Sequence, residues 1–217
     1  MVGQKNVEHL NNSTVAVIGL GGVGGICAES LVRCGIGRIY ICDGDVVEPS
    51  NINRQIVATT LTIGTNKAAA LKERLTDINP KAEIIAVDRH WNLENNFLLN
   101  EKIDYIVDAI DSVPEKIELI CMCRDNDINI VSAMGAGLRY HGNMFEVSDI
   151  FKTFNDPLAK KIRKMLKDRG VDSLDVVYSR EKPMKASDTI GSAMFAVGAS
   201  GLLLSEHVVH RLISNVK

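Results

Sequence analysis

Thr14-Val-Ala-Val-Ile-Gly-Leu-Gly-Gly-Val-Gly-Gly25 is the stretch on which the fold turns. Thr14 to Ile18 is a short, partly β-branched apolar run that suits a strand covered on both faces. Glycines end it abruptly, and a helical pattern then runs to Cys34: strand, tight turn, helix. Gly19, Gly21 and Gly24 satisfy G-x-G-x-x-G in that setting, with Gly22 among them. Backbone amides at the helix start can therefore approach a phosphate with no Cβ in the way.

Working outward, 38–42, 83–87, 104–107 and 129–132 read as four more buried strands. Helical patterns lie between them: 65–77, with apolar residues at 68, 71, 75 and 78 before Asn79-Pro80, and 114–124. Alternating strands and helices predict an α/β, Rossmann-like, doubly wound sheet, mostly parallel. Beyond Met134 the pattern changes to an antiparallel strand at 143–147, a basic helix at 156–169, a strand at 175–178 and a long helix at about 190–213. That last helix is rich in small residues, and we expect it to be buried on most sides, in the core or in a homodimer. No linker separates the parts, so 1–217 reads as one domain, with 1–137 a nucleotide-binding core and 138–217 an extension for substrate and dimer contacts.

Apolar residues make up 46% and charged residues 24% of the 217, an ordinary globular composition. The start lacks a signal pattern, and the longest uncharged run, 189–205, falls short of the roughly 20 residues that span a bilayer. A cytoplasmic location with no membrane contact is expected. Five scattered cysteines argue against a disulfide framework, and Cys121-x-Cys123 without a second pair argues against zinc. The net charge of −2 is uneven, with residues 152–185 carrying +5, which favours an anionic partner on one face. The five histidines have no metal-ligand spacing and are expected to be structural or exposed; Trp91 is unassigned.

Asp43 ends the second strand, where a carboxylate can accept hydrogen bonds from ribose hydroxyls. With the glycines it suits any adenine nucleotide, NAD included. The following segment, Asp43-Gly-Asp-Val-Val-Glu-Pro-Ser-Asn-Ile-Asn-Arg-Gln55 with Lys67 after Gly64, decides for a polyphosphate. Arg54 can fork onto phosphate oxygens, Lys67 can reach them as a point charge, and Asn51 and Gln55 can orient them. Hydride transfer needs none of these.

The combination D-x-D-x-V-x-x-S-N-x-x-R-Q, then G-x-x-K, after a glycine loop resembles the ThiF/MoeB/HesA adenylating superfamily, over about residues 14–137. The resemblance implies ATP and Mg²⁺ as cofactors, a pocket containing Gly19, Gly21, Gly22, Gly24, Asp43, Asp45, Asn51, Arg54, Gln55 and Lys67, and catalytic roles for Arg54, Lys67 and Asp111. Asp111, in Asp108-Ala-Ile-Asp-Ser112, matches the family's metal-binding aspartate, and one carboxylate with phosphate oxygens and water suits Mg²⁺.

No cysteine follows Cys123, which excludes a thiolate nucleophile in the C-terminal half. The segments 156–167 and 176–183 and the helix from Gly191 resemble the tRNA threonylcarbamoyladenosine dehydratase subgroup, extending the likeness over nearly the whole chain. It implies activation of a tRNA-borne carboxylate as an acyl adenylate, then ring closure with loss of AMP. The alternative is adenylation of the C-terminus of a ubiquitin-like sulfur carrier, and the family also suggests sulfur-transfer partners. Lys160, Lys161, Arg163, Lys164 and Lys167 are the expected tRNA contacts, extended by Lys182 and Lys185; no aromatic residue interleaves them, so base stacking is not indicated. Two departures stand out: there is no arginine before Arg33 to reach the phosphates, which points to impaired turnover, and Ala186 stands where relatives tend to have cysteine.

Overall fold

β1 (Thr14–Ile18) is buried along its whole length because it lies inside a sheet whose two faces helices cover. Val17 lies opposite Ile41 of β2 (Arg38–Cys42) on one side and Val107 of β4 (Tyr105–Asp108) on the other. The computed structural model, which describes residues 2–184 and 191–214, sets seven strands in the order β3-β2-β1-β4-β5-β7-β6. Here β3 is Glu83–Val87, β5 Ile130–Ala133, β6 Phe145–Asp149 and β7 Asp175–Ser179. Every pairing is parallel except β6 against β7. The chain winds outward from β1 to β3, then crosses back to β4 and continues the other way, so the β1/β4 boundary is a topological switch point. In such sheets ligands bind at the carboxyl ends of the strands, at that boundary.

Strand alternation divides the core between the two faces. Val15, Val17, Ile39, Ile41, Val107, Val131 and Val177 pack under α2 (Gly22–Arg33), α3 (Lys67–Ile78) and α6 (Met194–Ser214). Ala16, Ile18, Tyr40, Cys42 and Ile106 point the other way, towards α4 (Val113–Asp125), while Val176 and Tyr178 pack with α4 and α5 (Pro157–Lys167). The period of two in the strands is thus matched by apolar helix stripes on both sides.

Sequence reasoning placed no helix in the first residues, yet α1 (Gln4–Asn11) forms there, burying only Leu10. The basic helix is shorter than expected. Asp156 caps its first turn instead of entering it, and Gly170, at φ +70°, follows its end. Within one chain the C-terminal helix buries one stripe, from Ala196 through Gly201 and Leu204 to Val208 and Leu212. Its small residues lie on α2, where a Cβ at Gly201 would come within 2.5 Å of the Val23 carbonyl oxygen, whereas Phe195 and Leu202 are 52% and 55% exposed. Among the described residues, no helix is long and apolar enough to cross a membrane. Lys185 and Ala186 lie outside the described residues.

Candidate functional site

The glycine loop fits only because its side chains are missing. A Cβ on Gly19, whose φ is +90°, would sit 2.6 Å from the Ala109 carbonyl oxygen, and one on Gly24 would overlap the Gly19 carbonyl oxygen. The loop therefore lies flush against the turn that follows β4, and α2 begins with its amides directed into a cleft of about 1120 Å³. Gly19, Gly21, Gly22, Asp43, Asp45, Asn51, Arg54, Gln55, Lys67 and Asp111 all line that cleft. Gly24 does not, and serves the close packing beneath it.

Asp43 ties two walls together: its Oδ2 accepts from the Leu20 amide at 2.7 Å and its Oδ1 from the Asp45 amide at 2.8 Å. Each oxygen keeps a second lone pair for a ligand hydroxyl. Asn51 is buried, and its Oδ1 accepts from the Glu48 amide at 3.1 Å, fixing the turn that presents Arg54. Arg54 Nη1 donates to the Ser50 carbonyl and to Asn53 Oδ1, so the guanidinium is held by its own turn. Lys67 Nζ pairs with Asp45 Oδ2 at 2.7 Å, and its side chain is almost completely buried. Gln55 is also buried, and its Oε1 has no hydrogen-bond partner. An orphaned acceptor on a cleft wall calls for a donor from a ligand.

Asp111 is exposed where it lines the cleft, one turn from the Ser112–Glu115 hydrogen bond. Beneath it lies a group that the sequence reading missed. Lys116 is wholly buried and donates to Asp108 Oδ2 at 2.8 Å, Ser132 Oγ at 3.2 Å and the Ala133 carbonyl at 3.1 Å. Asp108 Oδ1 accepts from the Ile110 amide, within the turn carrying Asp111. The signal was present: Lys116 falls on the buried stripe of α4 with Leu119, Ile120 and Cys123, and a cation in a core stripe requires a buried partner.

The lip after β5, residues 133–137, closes the cleft. Lys116 holds it at Ala133, and Asp156 holds it at Gly135, whose amide donates to Asp156 Oδ2 at 3.1 Å. Asp156 Oδ1 meanwhile caps α5 through the Ala159 amide, and Arg139 lies 3.6 Å from the same carboxylate. Desolvation lowers the pKa of Arg139 despite Asp156 and Glu181 beside it.

His90 and Trp91 also line the cleft, and His90 Nε2 is 3.4 Å from Asp45 Oδ1. His90 is therefore a wall residue that spacing gave no reason to choose, because it follows β3 far from the glycine loop in sequence. Asp43, Asp45 and His90 could together approach one cation, although Lys67 already occupies an Asp45 oxygen. Cys42 is the one cysteine on the cleft wall, and burial, with Asp43 adding to it, pushes its thiol up to about 12.

The basic helix stands beside the cleft, Leu158 contributing to its wall. Lys160, Lys161, Lys164 and Lys167 are exposed. Arg163 departs from the expected set: its Nη1 donates to the Ile150 and Thr153 carbonyls and to Thr153 Oγ1, closing the turn after β6 instead of standing free on the face.

Compared with known proteins, residues 1–215 match the model of the ThiF family. The chain belongs to the ThiF family. This ThiF-family chain is 36% identical over 236 residues to the tRNA threonylcarbamoyladenosine dehydratase of Bacillus subtilis, covering 100% of this chain and 93% of that protein. Its backbone is similar to the crystal structure of the Escherichia coli tRNA N6-threonylcarbamoyladenosine dehydratase in complex with AMP, with a TM-score of 0.93 and 36% identity over 98% of this chain and 90% of that one. The same enzyme in complex with ATP gives a TM-score of 0.92 and 33% identity at the same coverage.

Proposed function

We propose that this chain is an ATP-dependent tRNA threonylcarbamoyladenosine dehydratase. The observation that carries the reading is a single cleft whose lining brings together the glycine loop, Gln55, Arg54, Lys67 and the carboxylate of Asp111. Relatives matching over nearly its whole length carry that activity in their names.

ATP fits the donor set: α2 amides and two cations for the phosphates, and Asp43 lone pairs for the ribose. Mg²⁺ fits Asp111, a hard carboxylate exposed in the cleft; bound there, it would neutralise phosphate charge. Lys67 exchanges Asp45 for phosphate oxygens, and Arg54 braces the leaving pyrophosphate. Both act where charge develops, in a walled site. A carboxylate oxygen of the threonylcarbamoyl group attacks the α-phosphorus and pyrophosphate departs. An atom of the same group then attacks the activated acyl carbon, AMP leaves, and a ring closes with formal loss of water. No protein thiol enters, consistent with Cys42 being held protonated at neutral pH. Residues 1–137 supply the nucleotide site, 138–217 supply tRNA contacts, and the exposed face of α6 supplies a homodimer contact.

The test is incubation with ATP, Mg²⁺ and threonylcarbamoylated tRNA, followed by nucleoside mass analysis. We expect a nucleoside lighter by one water together with AMP. If AMP forms only with a small carrier protein, the activity is sulfur-carrier adenylation instead.

A further inference from the structure

A second depression, of about 630 Å³, lies along α5 and is lined by Phe151, Pro157, Lys160, Lys161, Arg163, Lys164 and Lys167. Phe151, partly buried against the core, and Pro157 line it together with five cationic side chains of α5. Phe154, half exposed and three residues after Phe151, packs edge-on to Tyr178. Sequence spacing hid this arrangement, because Phe151 precedes α5, in the turn after β6, and only the fold lays it beside the lysines. Pro157 lines the depression and the next residue, Leu158, lines the nucleotide cleft, so the first turn of α5 contributes to both.

We propose that this depression takes the nucleotide next to the substrate adenosine, as an unstacked base lying against Phe151 with its phosphates on Lys160 and Lys164. An aromatic side chain among cationic ones is the arrangement by which proteins hold single-stranded nucleic acid: stacking for the base, charge for the backbone. Charge complementarity selects RNA over an apolar partner, and the first turn of α5, which contributes Leu158 to the cleft and Pro157 to the depression, places the next nucleotide in reach. Arg163, tied into the turn carrying Phe151, stiffens that turn. This inference rests on the tRNA reading above but concerns binding rather than turnover.

The probe is an unmodified RNA hairpin with an adenosine in its single-stranded loop and 2-aminopurine beside it, titrated with the full chain and read by anisotropy and by fluorescence. We expect the 2-aminopurine signal to be quenched on binding to the native chain and to stay bright with Phe151→Leu, with affinity lower by about tenfold. Lys160→Gln with Lys164→Gln should flatten the plot of log affinity against log salt by about 1.4, at roughly 0.7 per phosphate contact on a single strand. Thermal melting confirms folding of each variant. Unchanged quenching and affinity in Phe151→Leu overturns the proposal, as does an unaltered salt slope in the lysine variant. If both variants bind the hairpin as the native chain does but lose affinity for a polyglutamate peptide titrated in parallel, the face belongs to an acidic protein partner and the proposal fails. If the hairpin behaves as expected but threonylcarbamoylated tRNA is not dehydrated, the depression stands and the proposed reaction fails.

Discussion

Lys67 illustrates how a single side chain carries the site. Its ammonium sits in a nearly closed wall, neutralised by Asp45 at 2.7 Å, so the cation is held in place before any phosphate arrives. Lys67→Ala should leave the fold intact, since the α3 N-cap hydrogen bond from the Ala69 amide to Asn66 is untouched. AMP formation should fall about 100-fold or more, the usual effect of deleting one preorganised charge at a developing anion. Folding is checked by circular dichroism and activity by AMP release; undiminished release would remove Lys67 from the mechanism. Residues of this kind were legible in the sequence because the glycine loop, Asp43 and the segment 51–67 each end or follow a strand that the sheet brings to one edge. Gln55 was legible as a type but not as an orphaned acceptor, which is a property of burial. His90 was not legible, because its approach to Asp45 depends on how the chain leaves β3.

Among the elements, two buried ion pairs hold the lip after β5. Lys116 reaches it from α4 and Asp156 from the cap of α5, at residues two apart. Deleting one partner of a buried pair leaves an uncompensated charge, which costs about 3–5 kcal/mol. Lys116→Met should therefore lower stability by that amount in a denaturant titration, and Lys116→Met with Asp108→Asn should recover much of it. If the pair also positions the Asp111 turn, the double variant will be stable yet show a raised KM for ATP. Full recovery of both would confine the pair to packing. Strand positions were readable to within a residue or two because a strand covered on both faces reads as a short, uninterrupted apolar run bounded by turn residues. The N-terminal helix was not, since only Leu10 of its residues is buried and the apolar stripe is too thin to see. The β7 position between β5 and β6 is likewise set by pairing across the chain, which composition does not encode.

Across the whole molecule, α6 joins the glycine-loop helix to the far end of the sheet and leaves an apolar face outward. Tyr140 packs edge-on to Phe195 at 5.3 Å, and Leu202 continues that exposed surface. If two copies meet there, Leu202→Arg should shift sedimentation from dimer to monomer without lowering the melting temperature of the isolated fold. A native chain that sediments as a monomer would discard the proposed dimer.

At the amino ends of the strands, α6 is tied to the sheet by His207, whose Nε2 lies 3.1 Å from Asp175 of β7 and 3.2 Å from the Tyr105 hydroxyl of β4. Burial lowers the pKa of His207 below its ordinary value, outweighing the Asp175 carboxylate, while Arg211 adds to the lowering. Between the ordinary histidine value, about 6.5, and the lowered folded value, the unfolded chain binds more protons than the folded one. Stability contributed by the neutral ring is thus fully present above about pH 6.5 and is lost as pH falls towards the folded value. His207→Gln cannot take up that proton. The melting temperature of the native chain should drop more steeply from pH 7.5 to pH 5.5 than that of His207→Gln, measured in one buffer series at fixed salt. Parallel curves would mean that His207 is as easily protonated in the fold as in the unfolded chain, and that α6 is held at this end by packing alone.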